Sequence, residues 1–562
     1  MRARAARALA TVPGARPVVR RLRGGRAAVR GFARRRRYAE LAGLVAAAAD
    51  GDAVVVVLGP ASPRLVAAIR AASPRAQVRE VVSDDEERHL ELALLGRVDV
   101  IVDQEDVAGR RHRFEETFFH LRAGGSYVVP DGAGELAGGP RTLGELLDPD
   151  ATRPRGPRRA RIRVRDLREV VAQHVTHRVA GPDLVLSHDA DGVLAKMRES
   201  EFNAYLAAGT SRHRLLKTIP AGSPPPAPPG TEGPVPRRPP MHRRIQPAEL
   251  SLRDYRDVVV GQWQRVVSDD LLLPDTFRHN QWPELVHTKL VEYGPRFAVP
   301  RPRMPADAPR LEGTFLHLDN EFRGHFGHLL TESLSRVWTW REALAIDPDV
   351  RVLVGATKPR PRPFEYELEL YEAAGIPRDR IVVIDHPVRV DRLISGTPMF
   401  SHPQYVHPLI AETWREVGDN LAAQAEDRDW PGRFFVGRRS DKRACLNGAD
   451  VEAIFGEYGF EVVYPEDFTL GEQIRLFRAA EVAGGYAGSG LFQIAFVPDP
   501  THVIMVGAAT YTPRNEYLMA AVHGHRVEAV ICRPGGRSIQ SSYTFDVERE
   551  GPFLRKLLDR LP

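Results

Sequence analysis

The chain has 562 residues, enough for three or four domains of ~150 residues each. Its 43% hydrophobic and 27% charged residues are the composition of folded protein and exclude a wholly disordered chain. Lys and Arg exceed Asp and Glu by 79 to 73, a net charge of +6 that is too small over such a surface to imply nucleic-acid binding. No run reaches the ~18 apolar residues of a membrane span. The two cysteines, Cys445 and Cys532, make neither a disulfide framework nor a zinc site and suit a reducing cytoplasm.

The positive excess is concentrated at the start. Residues 1–39 contain no acid and close on the run Arg34, Arg35, Arg36, Arg37. Arginines interrupt every stretch that could form the apolar core of a secretion signal, so a cytoplasmic location is expected. Residues 1–37 are expected to be a disordered basic extension of the kind a GC-rich bacterial genome encodes. At ~1 kcal/mol per basic residue near a surface, it would allow peripheral contact with an anionic membrane.

Residues 38–208 read as a Rossmann-like domain. The helix-like stretch YAELAGLVAAAAD gives way at Gly51 to the Val-rich run 53–58, a buried parallel strand by its length and composition. Helix LVAAIRAA and strand QVREVV follow, then strand VDVIV closed by Asp103, an amphipathic stretch over 113–121, and a Gly124-Gly125 turn into strand 126–129. This alternation predicts a parallel sheet covered on both faces. The order VDVIVDQED, then FEETFFHLRAGGSYVVPDG, resembles the second half of a class I S-adenosylmethionine-dependent methyltransferase, over roughly residues 52–132. That family binds its cofactor on a glycine-rich turn after the first strand. Here the turn is Leu58-Gly59-Pro60-Ala61-Ser62-Pro63, so a degenerate module is expected.

Residues 209–247 form the expected linker, because 221–240 reads AGSPPPAPPGTEGPVPRRPP and proline excludes helix and central strand. Beyond it, strands are expected at 314–318, 350–354, 381–384 and 393–396, then at 433–436, 461–464, 482–485, 503–506 and 527–531. Helices fall between most of them. Two α/β sets, 248–430 and 431–562, therefore face each other across a cleft in this reading.

Two clusters carry the chemistry. The first runs from Asn320 through His325 and His328 into LLTESLSRVWTW. A helix starting near His325 places His328, Glu332 and Arg336 on one face at i, i+4 and i+8. The set His317, Asp319, His325 and His328 has no standard zinc spacing. The second cluster is a strand ending in Arg438 and Arg439, a basic turn with Lys442 and Arg443, and a helix capped near Asn447. A second strand leads through Pro465 and Glu466 to the helix around Gln473, and a third reaches Gly484-Gly485-Tyr486-Ala487-Gly488-Ser489-Gly490. Glycines at a strand-to-helix turn let backbone N–H groups face a diphosphate, with arginine supplying charge.

In order, these clusters resemble glycosyltransferase family 61 over about residues 314–507. The family's His-x-x-x-Asp/Glu-x-x-x-Arg helix is matched by His328, Glu332 and Arg336. Its later Arg, Arg and Asn are matched by Arg439, Arg443 and Asn447, its Gly-Phe pair by Gly459-Phe460, and its Gln by Gln473. At the turn where the family usually has His-Gly-Ala/Ser-Gly-Leu, this chain has Ala487-Gly488-Ser489-Gly490-Leu491. The resemblance implies a GT-B pair of Rossmann-like domains, the acceptor on the first and the donor on the second. It also implies no obligatory cofactor or metal, and a nucleotide sugar as donor substrate.

The expected activity is inverting transfer of a hexosyl or pentosyl group to a glycan or polysaccharide acceptor. Glu332 is expected as base beside His328, with Arg336, His325 and Asn320 binding acceptor. Arg438, Arg439, Arg443, Asn447, Glu466, Gln473, Gly488, Ser489 and Gly490 are expected to bind donor. The alternatives are a non-catalytic sugar- or nucleotide-binding partner of a polysaccharide assembly system, and a bifunctional glycosyltransferase/methyltransferase.

Overall fold

The computed structural model describes residues 35–561 apart from 50, 106, 138, 140–141, 149–166, 210, 238–239, 242–243 and 357–360. Residues 1–34 of the expected basic extension lie outside the described residues. Arg35, Arg36 and Arg37 already belong to a helix, and Arg37 is ion-paired with Asp131 and with Asp183, whose side chain is 2% exposed. The folded part therefore begins earlier than expected, because a buried carboxylate needs that cation.

The chain forms two compact units. One contains residues up to Met197 together with Leu290–Arg303, and the other contains Arg198–Lys289 and the chain from Met304 onward. In the first unit, strands Gln77–Val81, Val54–Leu58, Val98–Asp103 and Leu121–Val129 lie side by side in that order, all parallel. Strand Asp183–His188 then pairs antiparallel with Leu121–Val129, and Val175–Ala180 antiparallel with it. Helix Pro63–Ala72 starts on proline, whose missing N–H is an orphan donor at that position anyway, and buries Leu65, Val66 and Ile69 against Val55, Val57, Val100 and Val102. The Rossmann-like expectation holds for this unit.

The second unit is also α/β. In its first sheet Val388–Gly396, Arg310–His317, Arg351–Gly355 and Ile381–Ile384 are parallel neighbours, and the long strand Leu250–Gly261 pairs antiparallel with Val388–Gly396. Its second sheet is wholly parallel, in the order Glu461–Val463, Arg433–Val436, Val482–Tyr486, His502–Ala508, Arg526–Cys532, Glu232–Pro234. One hydrophobic core joins the two sets, running from Trp340 and Val352 through Trp414 of helix Ile410–Ala422 to Phe434 and Phe477.

The expected boundaries at 209–247 and 430/431 are thus not where the chain divides. The proline-rich segment is a strap on the second sheet. Glu232–Pro234 adds an edge strand along Ala529, Val530 and Ile531, where a proline lacking its N–H is tolerated. Thr231 donates its backbone N–H to Glu528 at 2.7 Å, and left-handed Gly230 lies so close to the Val527 carbonyl that no side chain fits. Among the described residues, no helix is long and apolar enough to cross a membrane.

Candidate functional site

Strand Arg433–Val436 ends in Gly437 and Arg438, beside the turn that follows Val482–Tyr486. Arg438 donates to the carbonyls of Ala487 at 2.8 Å and Arg443 at 3.0 Å. Arg443 is itself left-handed, with φ of 57°, and its guanidinium lies over the Tyr511 ring. Gly488 has φ of 140°, and a Cβ there would sit 3.0 Å from an Nη2 of both arginines, so glycine is required for their approach. Burial lowers Arg438 below the ordinary guanidinium value. Burial, then Arg443 and Arg438, lowers the Lys442 ammonium. Among the described residues none of Arg438, Lys442 and Arg443 has a carboxylate at ion-pair distance. All three line a cleft of about 670 Å³, together with Glu466, Gln473, Ser489 and Gly490.

His325, Phe326, Tyr366 and Glu369 also line the cleft. Past His325 the chain does not form the regular helix expected. A short helix Phe326–His328 widens into a π-turn at Leu329–Ser333 and tightens into a 3-10 turn at Leu334–Arg336. Such local widening is frequent at functional sites. His328 and Glu332 still meet, Nδ1 to Oε1 at 2.6 Å, and the His328 ring stacks on Phe322. The cation on the Glu332 carboxylate is not Arg336 but Arg278, at 2.8 Å. Burial opposes ionisation of Glu332, but Arg278 and then His328 outweigh it and hold this carboxyl well below the usual range.

Several expected residues have other partners. Arg336, 1% exposed, donates to the backbone carbonyls of Glu332 and Asp319. Asn320 donates to Ser333 Oγ at 2.9 Å and accepts from the Phe322 N–H, so its amide is used internally. Arg439 points away from the cleft lining, held by both oxygens of Asp467 at 2.6 and 2.7 Å and lying over Tyr464. Asn447 ties the start of helix Gly448–Glu457 to both backbone groups of Phe545. Gln473 lines the cleft with its amide already spent on the Pro465 and Phe468 carbonyls and on Gln493.

The N–H of Gly488, expected to face an anion, donates instead to buried Glu516 at 2.6 Å, and a 3-10 stretch, Ser489–Phe496, follows it. The four candidate metal ligands do not converge. Asp319 accepts from Gln264 N–H, and fully buried His317 is pushed down to about 4 by burial. Arg278 and Glu516 were missed because neither stands in a recognisable spacing. Lys442 had a signal, its place in the basic turn.

The corresponding crevice of the first unit lies at the carboxyl ends of Val54–Leu58 and Val98–Asp103, where a Rossmann-like sheet takes its ligand. A Cβ on Gly59 would meet Glu105 Cγ at 2.5 Å. Glu105 accepts from Arg88 at 2.8 Å and lies 3.5 Å from Arg113, which also bonds Asp103 at 3.1 Å. Tyr127 donates to Asp103 at 3.2 Å. At these strand ends the side chains of Arg88, Glu105, Arg113, Asp103 and Tyr127 are bonded to one another.

Residues 326–504 match the family model described as Glycosyltransferase 61. No curated protein matches the chain. Among solved structures the chain is similar to the MycE methyltransferase from the mycinamycin biosynthetic pathway. The complex with Mg and SAH is 17% identical, with a TM-score of 0.18, and the complex with Mg, SAH and mycinamycin VI is 16% identical, with 0.19. Each match covers 25% of this chain and 47% and 46% of the MycE chains, so this chain spans about half their length. A protein from Staphylococcus aureus described as a caffeoyl-CoA O-methyltransferase is 14% identical, with a TM-score of 0.16 over 25% of this chain and 76% of its own.

Proposed function

We propose that this protein is an inverting glycosyltransferase of GT-B architecture, moving a hexosyl or pentosyl group from a nucleotide sugar to a glycan or polysaccharide acceptor. The observation that carries the reading is the cluster of Arg438, Lys442 and Arg443 around Gly488, three cations lining one cleft, none with a carboxylate at ion-pair distance among the described residues. Such a cluster is built to receive an anion, and a diphosphate leaving group is the anion this family's chemistry supplies.

The transfer is a single displacement. The acceptor oxygen bonds to the anomeric carbon as the bond from that carbon to the phosphate oxygen breaks, and the electron pair leaves on the diphosphate. The three cations stabilise that developing charge. The acceptor's proton goes to His328 Nε2, while Glu332 holds Nδ1. This reverses the order expected from sequence, since a carboxylate shared by His328 and Arg278 is too weakly basic to be the better proton acceptor.

The N-terminal unit acts in this reading as a scaffold with an internally filled crevice, not as a second transferase. A thermal-shift screen of nucleotide sugars, UDP-sugars first, tests the reading, because ligands of the native state raise Tm. Stabilisation by one nucleotide sugar and release of its nucleotide on adding acceptor are expected. Transfer with retained anomeric configuration would overturn the inverting mechanism.

A further inference from the structure

Glu332 Oε1 is a shared atom. His328 Nδ1 lies 2.6 Å from it and Arg278 Nη2 2.8 Å from it. Arg278 also lies over the Phe322 ring, 5.0 Å from its centroid, and that ring stacks on His328 at 4.7 Å. Arg278 therefore touches both supports of the His328 imidazole, the carboxylate and the aromatic ring. It belongs to neither cluster visible in the sequence and lies outside residues 326–504.

The surrounding groups restrict what this arrangement does. Arg278 Nη2 is 2.6 Å from His402 Nε2, and a guanidinium can only donate, so that nitrogen is unprotonated and His402 is neutral. Desolvation, then Arg278 and His279, push His402 well below its ordinary value. His325 lies 5.8 Å from His328, ring to ring, and Arg336 reaches the backbone carbonyl of Glu332 rather than its carboxylate. The charge on the Glu332 carboxylate is thus answered by Arg278 on one side and His328 on the other.

We propose that Arg278 is a positioning residue for the transfer: it takes a share of Glu332 Oε1, so that the carboxylate accepts the Nδ1–H of His328 and Nε2 is left as the proton acceptor. The inference rests on the glycosyl-transfer reading above. A carboxylate facing an imidazole alone stabilises the imidazolium, and an opposite charge at this distance moves a titration by about 1–3 units. A base that already holds its proton at neutral pH cannot take the acceptor's. A permanent cation on the same oxygen offsets that pull without removing the hydrogen bond that orients the ring.

The test compares full-length Arg278→Gln and Arg278→Lys with the parent protein. The readouts are the pH dependence of kcat/KM and a histidine NMR titration, with the His328 signal assigned by its loss in His328→Asn. In Arg278→Gln the acid limb of the profile and the His328 titration should both move up by about one pH unit, lowering turnover near neutrality about tenfold. Donor Kd should stay within about twofold, because Arg278 does not line the cleft. Arg278→Lys should return both readouts close to the parent's.

An unmoved His328 titration in Arg278→Gln overturns the proposal. So does a lysine variant shifted as far as the glutamine one, which would mark a steric role only. Where Arg278→Gln alone is too unstable to measure, the same change in a Glu332→Gln background serves: removing the cation there should still raise the His328 titration above that of Glu332→Gln alone, and an unmoved titration overturns the proposal. If the parent protein transfers no sugar, the glycosyltransferase reading fails, while the NMR titration still decides what Arg278 does to His328.

Discussion

Two crevices of this chain open at the carboxyl ends of parallel strands, and both are built around arginine. In the N-terminal one, Arg88 and Arg113 are bound by Glu105 and Asp103, and the glycine after the first strand is covered by the Glu105 side chain. In the C-terminal one, Arg438 is held by backbone carbonyls, a Cβ on Gly488 would crowd two guanidinia, and among the described residues none of the three cations has a carboxylate at ion-pair distance, buried Glu516 being bonded to the Gly488 N–H. The strand arrangement is the same in kind. What differs is which partner neutralises the cations. A buried arginine matched by the chain's own carboxylate is a brace, whereas a like-charged cluster without one destabilises the fold and persists where a ligand supplies the missing charge.

The largest expected effect breaks or confirms the second half of that comparison. Arg438→Ala combined with Arg443→Ala removes two charge-assisted hydrogen bonds to the donor, each about 1.5–3 kcal/mol. Isothermal titration with the nucleotide sugar found in the screen should show affinity down by at least about 100-fold. An unchanged Kd would remove the distinction between the crevices.

The next effect is the mirror image in the first unit. Asp103 has 0% exposure, and burial raises its carboxyl above the usual range despite Arg113. Asp103→Asn removes the closer of Arg113's carboxylates, leaving Glu105 at 3.5 Å, and should cost about 1–3 kcal/mol in denaturant unfolding. Donor affinity should not follow. S-adenosylmethionine should produce no thermal shift in the parent protein, and a saturable shift would mean that the crevice opens.

A smaller effect comes from pH. Because burial and two neighbouring arginines lower the Lys442 ammonium below its ordinary 10.5, it deprotonates earlier than a free lysine as pH rises. Donor affinity should therefore weaken on the alkaline side before pH 10.5 is reached, and Lys442→Arg should flatten that limb. In the absence of donor the sign for stability is opposite. Between its folded value and 10.5 the native state holds fewer protons than the unfolded one, so stability rises with pH through that window. A Kd flat across the alkaline range in the parent would detach Lys442 from the donor.

Much of the fold was legible because its signals are local. The valine run at 53–58, the strand closed by Asp103 and the glycine turn at 484–490 each announce themselves within a few residues, and all nine strands expected after the linker are present. What was not legible depends on partners far away in the chain. Proline read as a break until the strap 229–234 found the free edge beside Arg526–Cys532. The return of Leu290–Arg303 to the first unit has no local mark. In the site, the spacing of His328 and Glu332 foretold their contact, since four residues suffice for it in an α-turn or a π-turn alike. It could not foretell that Arg278 rather than Arg336 would reach the carboxylate, or that Glu516, 28 residues beyond Gly488, would take its N–H. Side chains that act from another element leave no periodicity to read.

The smallest expected effect sets motif against geometry. Family resemblance pairs Arg439 with Arg443, while the cleft pairs Arg438 with Arg443. Arg439 is half exposed and its fork is already filled by the Asp467 carboxylate, which in turn is half exposed. Such a surface pair contributes little to stability, and salt screens it. Arg439→Ala should leave donor Kd within about twofold of the parent, a change too small to assign to a lost phosphate contact. Arg438→Ala, one residue earlier, removes the side chain that packs on Gly488 and bridges the basic turn at Arg443 and the glycine turn at Ala487, and should lower affinity by about tenfold or more. Of the two, Arg438 lines the cleft and Arg439 does not. If Arg439→Ala proves the more damaging of the pair, the turn after Arg433–Val436 is rotated in the donor-bound protein, and Asp467 must release Arg439 for the donor to bind. That outcome would appear as a donor Kd that responds to Asp467→Asn, a variant for which the present geometry expects no response.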